Sequence, residues 1–238
     1  MLKPHDVVVI TGASRGLGRH LAHQLARMSM RLVLLARHEE DLAEVVSEVV
    51  DLGADAFAIP LDVTQYEACK SAIDTACEQF GRIDVLVNNA GLSWWKPFDT
   101  WSVSEIDTVV DVNLKGTLYC SYAVLPYMKA QKAGQILNVA SDVGRRAVPN
   151  MGPYVAAKHG VVGFSGSLLR EVRADGIRVM CALPGIIDTY FGGAVEGSRD
   201  PSWAMYPEDM ATALVHMLQQ PANMVTDELL IHPLGQDY

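Results

Sequence analysis

Short apolar runs alternate along the chain with segments whose apolar residues recur every three or four positions. The first run, Val7-Val8-Val9-Ile10, is followed by Leu17, Leu21 and Leu25, which share one face of a helix. This alternation of strand-like and helix-like segments continues to residue 232. It predicts seven buried strands, at 7–10, 32–35, 56–59, 83–87, 135–140, 178–183 and 229–232.

Residues typical of helix ends lie between these runs. Ser102 and Glu105 form a capping-box pattern, which predicts a long helix toward Met128. Gly53 and Gly81 are typical of C-terminal helix ends. The predicted helices that follow the first one cover residues 39–52, 65–79, 102–128, about 154–174 and a segment from about 207.

Buried strands that alternate with helices indicate a parallel sheet, because parallel neighbours need a crossover connection. We therefore predict an α/β fold, a single-domain Rossmann-type doubly wound parallel sheet of about seven strands over residues 1–238. Neither a low-complexity linker nor an internal repeat divides the sequence. The Gly-rich stretch at about 185–206 is predicted to be a mobile substrate loop within this domain.

Composition narrows the class of protein. Of the 238 residues, 50% are apolar and 20% are charged, which excludes a disordered chain. The 19 Lys and Arg against 28 Asp and Glu give a net charge of −9, so neither nucleic acid nor a membrane is an expected partner. The sequence contains no membrane-spanning apolar run and no signal-peptide pattern, and a cytoplasmic location is expected.

The cysteines are too far apart to form a zinc-binding pattern. We expect four reduced thiols and no metal site. These residues are Cys69, Cys77, Cys120 and Cys181.

A glycine-rich segment, Thr11 to Gly18, connects the first predicted strand to the first predicted helix. Glycines allow a backbone to turn tightly and approach a pyrophosphate, which a helix N-terminus stabilises. The glycine spacing is GxxxGxG rather than GxGxxG, and such turns also serve packing alone. Its place after the first strand favours nucleotide binding.

Tyr154 and Lys158 are four positions apart on a predicted helix and therefore share one face. A lysine ammonium beside a tyrosine favours the phenolate and is expected to bring the phenol pKa toward neutrality. Ser141, at the end of the preceding strand, can donate to a carbonyl oxygen or orient the phenol. Tyr and Lys at this spacing are also common on exposed helices, so the pair alone does not indicate catalysis.

Six motifs together resemble the short-chain dehydrogenase/reductase family, within it the 3-oxoacyl and carbonyl reductases. They follow the family's order and spacing from residue 11 to residue 189. The motifs are Thr11 to Gly18, Asn88-Asn89-Ala90-Gly91, Asn113 in Val112 to Gly116, Ser141, Tyr154 with Lys158, and Pro184-Gly185 leading to Thr189.

This resemblance implies roles for four catalytic residues. Tyr154 would be the general acid in reduction, and Ser141 would hold the substrate oxygen. Lys158 would tune the phenol and hydrogen-bond the nicotinamide ribose. Asn113 would hold a water that passes protons to Lys158. The alternative for Asn113 is a helix-interior side chain bonded to its own backbone.

The resemblance also implies a set of residues that bind the cofactor. Asn89 and Ala90 would line the adenosine and ribose path, and Asn88 and Gly91 would be structural. The adenine would meet the pair after the third strand, and the carboxamide and phosphates would meet the segment after the sixth. The set is Gly12, Ser14, Arg15, Gly16, Leu17, Gly18, Arg37, Asp62, Val63, Asn89, Ala90, Tyr154, Lys158, Pro184, Gly185, Ile187 and Thr189.

Charge after the second strand favours NADP(H) over NAD(H). NAD enzymes of this architecture carry an acidic residue there for the ribose 2′-hydroxyl. The chain has Ala36-Arg37-His38 instead, and Arg37 with Arg15 would clamp a 2′-phosphate. The alternative is that Arg37 pairs with acidic residues at 39–41 on the start of the next helix.

These observations predict an NADPH-dependent reductase that acts on a ketone, aldehyde or 3-oxoacyl substrate and runs in reverse as an alcohol dehydrogenase. A non-catalytic nucleotide-binding regulatory or scaffold protein of the same fold is the alternative. A dehydratase or epimerase is disfavoured by the glycine spacing. The resemblance implies a small-molecule substrate and a homodimer or homotetramer.

Substrate identity, reaction direction, stereochemistry and the choice of dimer or tetramer are left open by the sequence. Trp94 and Trp95 are expected either to floor a pocket or simply to pack. Arg145 and Arg146 either face an anionic substrate or face solvent only.

Overall fold

A computed structural model describes residues 1–236 and contains a single seven-stranded parallel sheet. Its order is β3-β2-β1-β4-β5-β6-β7, which confirms the predicted Rossmann-type fold class. The strands are β1 (Val7–Thr11), β2 (Arg31–Ala36), β3 (Asp55–Pro60), β4 (Val85–Asn88), β5 (Gly134–Val139), β6 (Ile177–Pro184) and β7 (Glu228–Ile231).

Seven α-helices of the described residues flank this sheet, and except for the helix predicted at 102–128 their boundaries lie close to the predicted ones. The helices are α1 (Gly16–Ala26), α2 (Glu39–Asp51), α3 (Tyr66–Phe80), α4 (Val103–Val110), α5 (Gly116–Gln131), α6 (Gly152–Val172) and α7 (Pro207–Leu218). Across residues 1–236, none of them has both the length and the apolar character that a membrane crossing requires.

Alternate residues of each strand face opposite sides of the sheet, and each side is covered by its own helices. Val8 and Ile10 pack with α1, α2 and α7, whereas Val7 and Val9 pack with α3, α5 and α6. All four are completely buried. This two-sided burial explains why the strands read as continuous apolar runs.

The long helix predicted from Ser102 is divided into two. Ser102 and Glu105 form both hydrogen bonds of the capping box at the start of α4. A π-helical turn, Asp111–Lys115, then separates α4 from α5. Such turns insert an extra residue into a helix and are frequent at functional sites. Here the turn carries Asn113.

The strand order reverses beside β1, which lies between β2 and β4. Helices that follow β1 and β4 therefore lie on opposite faces of the sheet and leave a crevice at the carboxyl ends of these strands. Open parallel sheets bind their ligands at such a switch point.

Candidate active site

A cavity of about 1000 Å³ opens at this switch point. Most residues that line it come from the loops after β1, β2, β3, β4, β5 and β6, and others come from α6 and the segment after β7. Every predicted site residue lines this cavity except Gly18 and Asn113. Gly18 lies beneath the glycine loop and Asn113 lies behind Lys158.

The glycine loop is held tightly against the end of β4. Gly12 has a φ of +65°, and a Cβ there would lie 2.9 Å from the Ala90 Cα. The Asn89 side-chain amide donates to the carbonyl oxygens of Thr11 and Gly12, each at 3.0 Å. A Cβ on Gly18 would collide with the Gly12 carbonyl oxygen. The glycines thus leave space for a ligand beside the N-terminus of α1, as a pyrophosphate requires.

Two arginines line the end of the cavity beside β2. Arg15 lies 5.6 Å from the centroid of the Tyr190 ring, and Arg37 is exposed at the end of β2. Neither forms an ion pair with another residue of the described range, 1–236. The alternative pairing of Arg37 with the acidic start of α2 is therefore not formed. Both guanidinium groups are available to an anionic ligand, as a 2′-phosphate requires.

The loop after β3 forms another part of the wall. Asp62 Oδ1 accepts hydrogen bonds from the backbone nitrogen and the hydroxyl of Thr64, at 2.9 and 2.8 Å. This turn places Asp62 and Val63 along the cavity, where an adenine would lie. Val63 is supported from behind by Gly116, where any side chain would clash with it.

Three of the four predicted catalytic side chains meet in the cavity. Tyr154 and Lys158 lie on the first turns of α6, and the Lys158 Nζ is 5.5 Å from the centroid of the Tyr154 ring. Lys158 Nζ also donates to the Val139 carbonyl oxygen at 2.8 Å. Ser141 follows β5, and its hydroxyl oxygen lies 3.3 Å from the Pro184 carbonyl oxygen. All three side chains are buried.

Burial controls the ionisation of this group. It lowers the pKa of Lys158 to about 8 because a charged ammonium is poorly solvated there. It raises the pKa of Tyr154 above its ordinary value, and a hydrogen bond with Ser141 only partly opposes that rise. The prediction that the lysine would bring the phenol pKa toward neutrality is thus wrong for this structure. The phenol stays protonated, which is the form a proton donor needs.

Asn113 shows features of both predicted alternatives. Its amide nitrogen donates to the carbonyl oxygens of Leu92 and Val109, at 2.7 and 2.8 Å. Its Oδ1 is buried and accepts no hydrogen bond from any of residues 1–236. A Cβ on Gly91 would lie 2.9 Å from this oxygen and 3.8 Å from Lys158 Nζ. The free acceptor therefore lies on the Lys158 side, as a proton relay requires.

The segment after β6 closes the cavity from above. Pro184 and Gly185 end the strand, and Ile187 forms an isolated bridge with Met205. Thr189 lies against the glycine loop, where a Cβ on Gly16 would be 3.3 Å from the Thr189 Cβ. The predicted carboxamide-binding and phosphate-binding residues therefore face the N-terminus of α1.

Sequence analysis missed Asp142 and Gln236, which together with Arg146 form a hydrogen-bonded group beside Ser141. Asp142 is buried, and its Oδ1 lies 3.0 Å from the Ser141 hydroxyl. Its Oδ2 accepts a 2.6 Å hydrogen bond from the Gln236 side chain. Arg146 also bonds this oxygen, through a terminal nitrogen at 2.6 Å. The carboxylate is thus neutralised and held beside the serine.

The same contacts show which of Arg145 and Arg146 lies at the cavity. Arg146 lines the cavity and is paired with Asp142, whereas Arg145 forms an exposed ion pair with Glu228. Aromatic residues complete this half of the cavity, which we call the substrate half. They are Trp94, Trp95, Tyr154, Phe191 and Trp203.

Comparison with known proteins gives a consistent family. A profile of the family described as short chain dehydrogenase matches residues 6–199. An uncharacterized oxidoreductase of Staphylococcus saprophyticus is 36% identical over 230 residues, which cover 96% of this chain and 97% of the relative.

Solved structures agree with these sequence matches. An alcohol dehydrogenase from the archaeon Thermococcus sibiricus, complexed with 5-hydroxy-NADP, has a TM-score of 0.93 and 33% identity over 98% of this chain and 99% of its own. A 3-ketoacyl-(acyl-carrier-protein) reductase from Brucella melitensis, complexed with NADH, has a TM-score of 0.89 and 28% identity over 98% of each chain. The chain belongs to the short-chain dehydrogenase family of oxidoreductases.

Proposed function

We propose that this protein is an NADPH-dependent reductase that transfers a hydride to a ketone, aldehyde or 3-oxoacyl substrate, reversibly as an alcohol dehydrogenase. The observation that carries the proposal is the meeting of Ser141, Tyr154 and Lys158 in the cavity that the glycine loop also lines. A scaffold protein has no need to bury a lysine and a protonated phenol side by side. The proposal therefore favours chemistry over nucleotide binding alone.

The chain's own groups supply the proton side of the reaction. Nicotinamide bound in the cavity supplies the hydride. The Tyr154 phenol donates its proton to the carbonyl oxygen, so that the carbonyl becomes the hydroxyl group of the product alcohol. The Ser141 hydroxyl turns from Asp142 toward the same oxygen and stabilises its developing negative charge.

Lys158 and Asn113 restore the proton that Tyr154 loses. A pKa of about 8 allows Lys158 to give and regain a proton near neutral pH. The unpartnered Oδ1 of Asn113 lies on the same side as the Lys158 ammonium and accepts from a water between them. In this scheme Asn113 is a positioning residue, because it acts through Lys158.

The preference for NADP(H) is part of the proposal. Arg15 and Arg37 lie at the end of the cavity where the ribose 2′-position is expected, and neither is paired within residues 1–236. A 2′-phosphate would bring its charge to two guanidinium groups, whereas a free 2′-hydroxyl would leave both guanidinium groups without an anion.

A panel of ketones, aldehydes and 3-oxoacyl thioesters, assayed with NADPH and with NADH, tests this proposal. Consumption of the reduced cofactor by the wild type, lost in Tyr154→Phe, would support it. Tight binding of NADPH without turnover of any carbonyl would favour the non-catalytic alternative instead.

We further propose that residues 1–238 form one oxidoreductase domain in the cytoplasm, with residues 185–206 as its mobile substrate loop. Residues 237 and 238 lie outside the described residues. All four cysteines are free thiols, which suits a reducing compartment. A homodimer or homotetramer is supported by the exposed aromatic face of α5, where Tyr122 is 67% exposed. Light scattering of the purified protein tests the assembly.

A further inference from the structure

The substrate half of the cavity contains a guanidinium that has no anionic partner among residues 1–236. Arg199 lines the cavity from the loop after β6. Its Nε is buried and makes no hydrogen bond with any of residues 1–236. One terminal nitrogen donates weakly to the Phe191 carbonyl oxygen, at 3.4 Å, and the guanidinium carbon lies 6.0 Å from the centroid of the Trp203 ring. These contacts leave its charge uncompensated.

The position of Arg199 relates it to the reacting group rather than to the adenosine end. The Phe191 ring packs against the Tyr154 ring with centroids 5.3 Å apart. Arg199 therefore contacts Phe191, and Phe191 contacts the reacting Tyr154. Arg15, by contrast, belongs to the glycine loop before α1 and lies beside Tyr190.

Other charges nearby are already satisfied. Arg146 shares the substrate half, but its charge is matched by Asp142. Asp188 Oδ1 accepts a hydrogen bond from the Arg199 backbone nitrogen at 3.2 Å, and the Glu196 carboxylate pairs with His20. No ion pair joins the Arg199 guanidinium to a carboxylate of residues 1–236. Of the two arginines in the substrate half, Arg199 is therefore the one without an ion pair within residues 1–236.

From this arrangement we infer that Arg199 binds a carboxylate on the substrate, so that the enzyme reduces oxo acids and oxidises the matching hydroxy acids. The inference rests on the proposed function. A guanidinium matches a carboxylate in shape, with two parallel hydrogen bonds, and the terminal nitrogens of Arg199 make one weak hydrogen bond, at 3.4 Å. Aromatic walls around it reduce competition from water. A single unpaired cation matches a monoanionic carboxylate better than a dianionic phosphate.

Matched pairs of oxo acids and their methyl esters test the inference, because each pair differs by the charge alone at nearly constant shape. The pairs are 2-oxobutanoate, 3-oxobutanoate and 4-oxopentanoate with their esters, which vary the distance between carboxylate and carbonyl. Wild type, Arg199→Met, Arg199→Lys and Arg170→Met are compared at saturating NADPH. Arg170 is an exposed arginine on α6 and serves as the matched control.

We expect at least one acid to have a kcat/KM roughly tenfold to a hundredfold above that of its ester in the wild type. Arg199→Met should abolish that difference by raising the KM for the acid. It should leave turnover of the ester unchanged, which would also show that the variant folds. Arg199→Lys should retain part of the preference, because a lysine keeps the charge and loses the paired geometry. Arg170→Met should retain all of it.

Three outcomes would overturn the inference while the proposed function stands. In the first, the wild type has equal kcat/KM values for acids and esters. In the second, Arg199→Met lowers kcat/KM for acid and ester by the same factor. In the third, Arg199→Met would weaken NADPH binding without substrate, measured by nicotinamide fluorescence, and Arg199 would then belong to the cofactor site. Failure of the wild type to reduce any acid, ester or neutral ketone with either cofactor would overturn the proposed function itself.

Discussion

The side-chain amide of Gln236 donates a 2.6 Å hydrogen bond to Asp142 Oδ2, which joins the C-terminal segment to the residue beside Ser141. The same Gln236 side chain accepts a hydrogen bond from the Ile186 backbone nitrogen at 2.9 Å. One buried amide therefore connects the loop after β5, the loop after β6 and the C-terminal segment. These are the three segments that surround the proposed reaction centre.

Replacement of Gln236 by alanine should impair catalysis more than cofactor binding. It leaves a buried carboxylate oxygen and a buried backbone nitrogen short of a partner, and each loss costs about 1–3 kcal/mol. We expect a lower free energy of unfolding and a lower kcat, with little change in the dissociation constant for NADPH. Urea unfolding and steady-state kinetics measure both effects. Gln220→Ala, at an exposed position, is the matched control, and equal effects in the two variants would contradict the prediction.

Removal of the Tyr154 hydroxyl tests the proposed general acid. Tyr154→Phe should lower kcat by at least ~10²-fold, because positioned proton transfer contributes that much or more. Binding of NADPH should persist. Tyr127→Phe removes a phenol that is bonded to Asp74 far from the cavity, and this control should keep normal turnover. Near-normal activity of Tyr154→Phe would refute the mechanism.

Parts of this site were predictable because they depend on residues that are close in sequence. The glycine loop follows the first strand directly, and Tyr154 with Lys158 occupy neighbouring turns of one helix. Helix and strand geometry alone places such residues. The crossover rule then brings the strand ends together at one edge of the sheet.

Other parts depend on contacts between distant residues and gave no local signal. Gln236 and Asp142 are 94 positions apart, and Gln236 shows no motif. The ion pair between Arg146 and Asp142 also gave no sequence signal, although the two residues are only four positions apart. The direction of the Tyr154 pKa shift depended on burial, because desolvation outweighs a nearby charge at a fully enclosed position.

Lys158 should cost the protein stability in a pH-dependent way. Its pKa is about 8 in the folded chain and 10.5 when exposed, so the unfolded chain binds more protons between these values. The free energy of unfolding therefore rises with pH across that window. Below about pH 8 the buried lysine is charged, and its destabilising effect is at its maximum.

Lys158→Met measures this cost directly. The variant should be more stable relative to wild type at about pH 7 than at about pH 10, with a change on the order of 3 kcal/mol between them. Urea unfolding without cofactor, repeated across this pH range, checks it. Lys3→Met, at an exposed position, should show a constant difference. A constant difference for Lys158→Met as well would mean that the lysine is not desolvated.

The loop at 185–206 should be mobile without cofactor and ordered with it. Its backbone includes the consecutive positive-φ residues Gly192 and Gly193, and one of its contacts with α1 is a 2.8 Å pair between Glu196 and His20. Hydrogen exchange should be fast across the loop in the free protein and slow with NADPH and substrate, since closure sequesters the reaction. Strand β5 should be protected in both states. Equal protection of the loop in both states would identify it as a fixed segment.

Arg37 decides the choice of cofactor if the clamp is correct. Each arginine would give the 2′-phosphate charge-assisted hydrogen bonds worth ~1.5–3 kcal/mol. Arg37→Asp should therefore weaken NADPH binding by about tenfold to a hundredfold or more, since the new carboxylate also repels the phosphate. It should spare or improve NADH binding, because an aspartate there accepts from the free 2′-hydroxyl.

Arg15→Ala should show the weaker form of the same effect, a loss for NADPH with little change for NADH. Both guanidinium groups face solvent, so added salt should narrow the preference of the wild type for NADPH. Fluorescence titrations of both cofactors at low and high salt measure all of these constants. A wild type that prefers NADH, or an Arg37→Asp variant with unchanged NADPH affinity, would show that Arg37 is only an exposed residue before α2, with no part in selecting the cofactor.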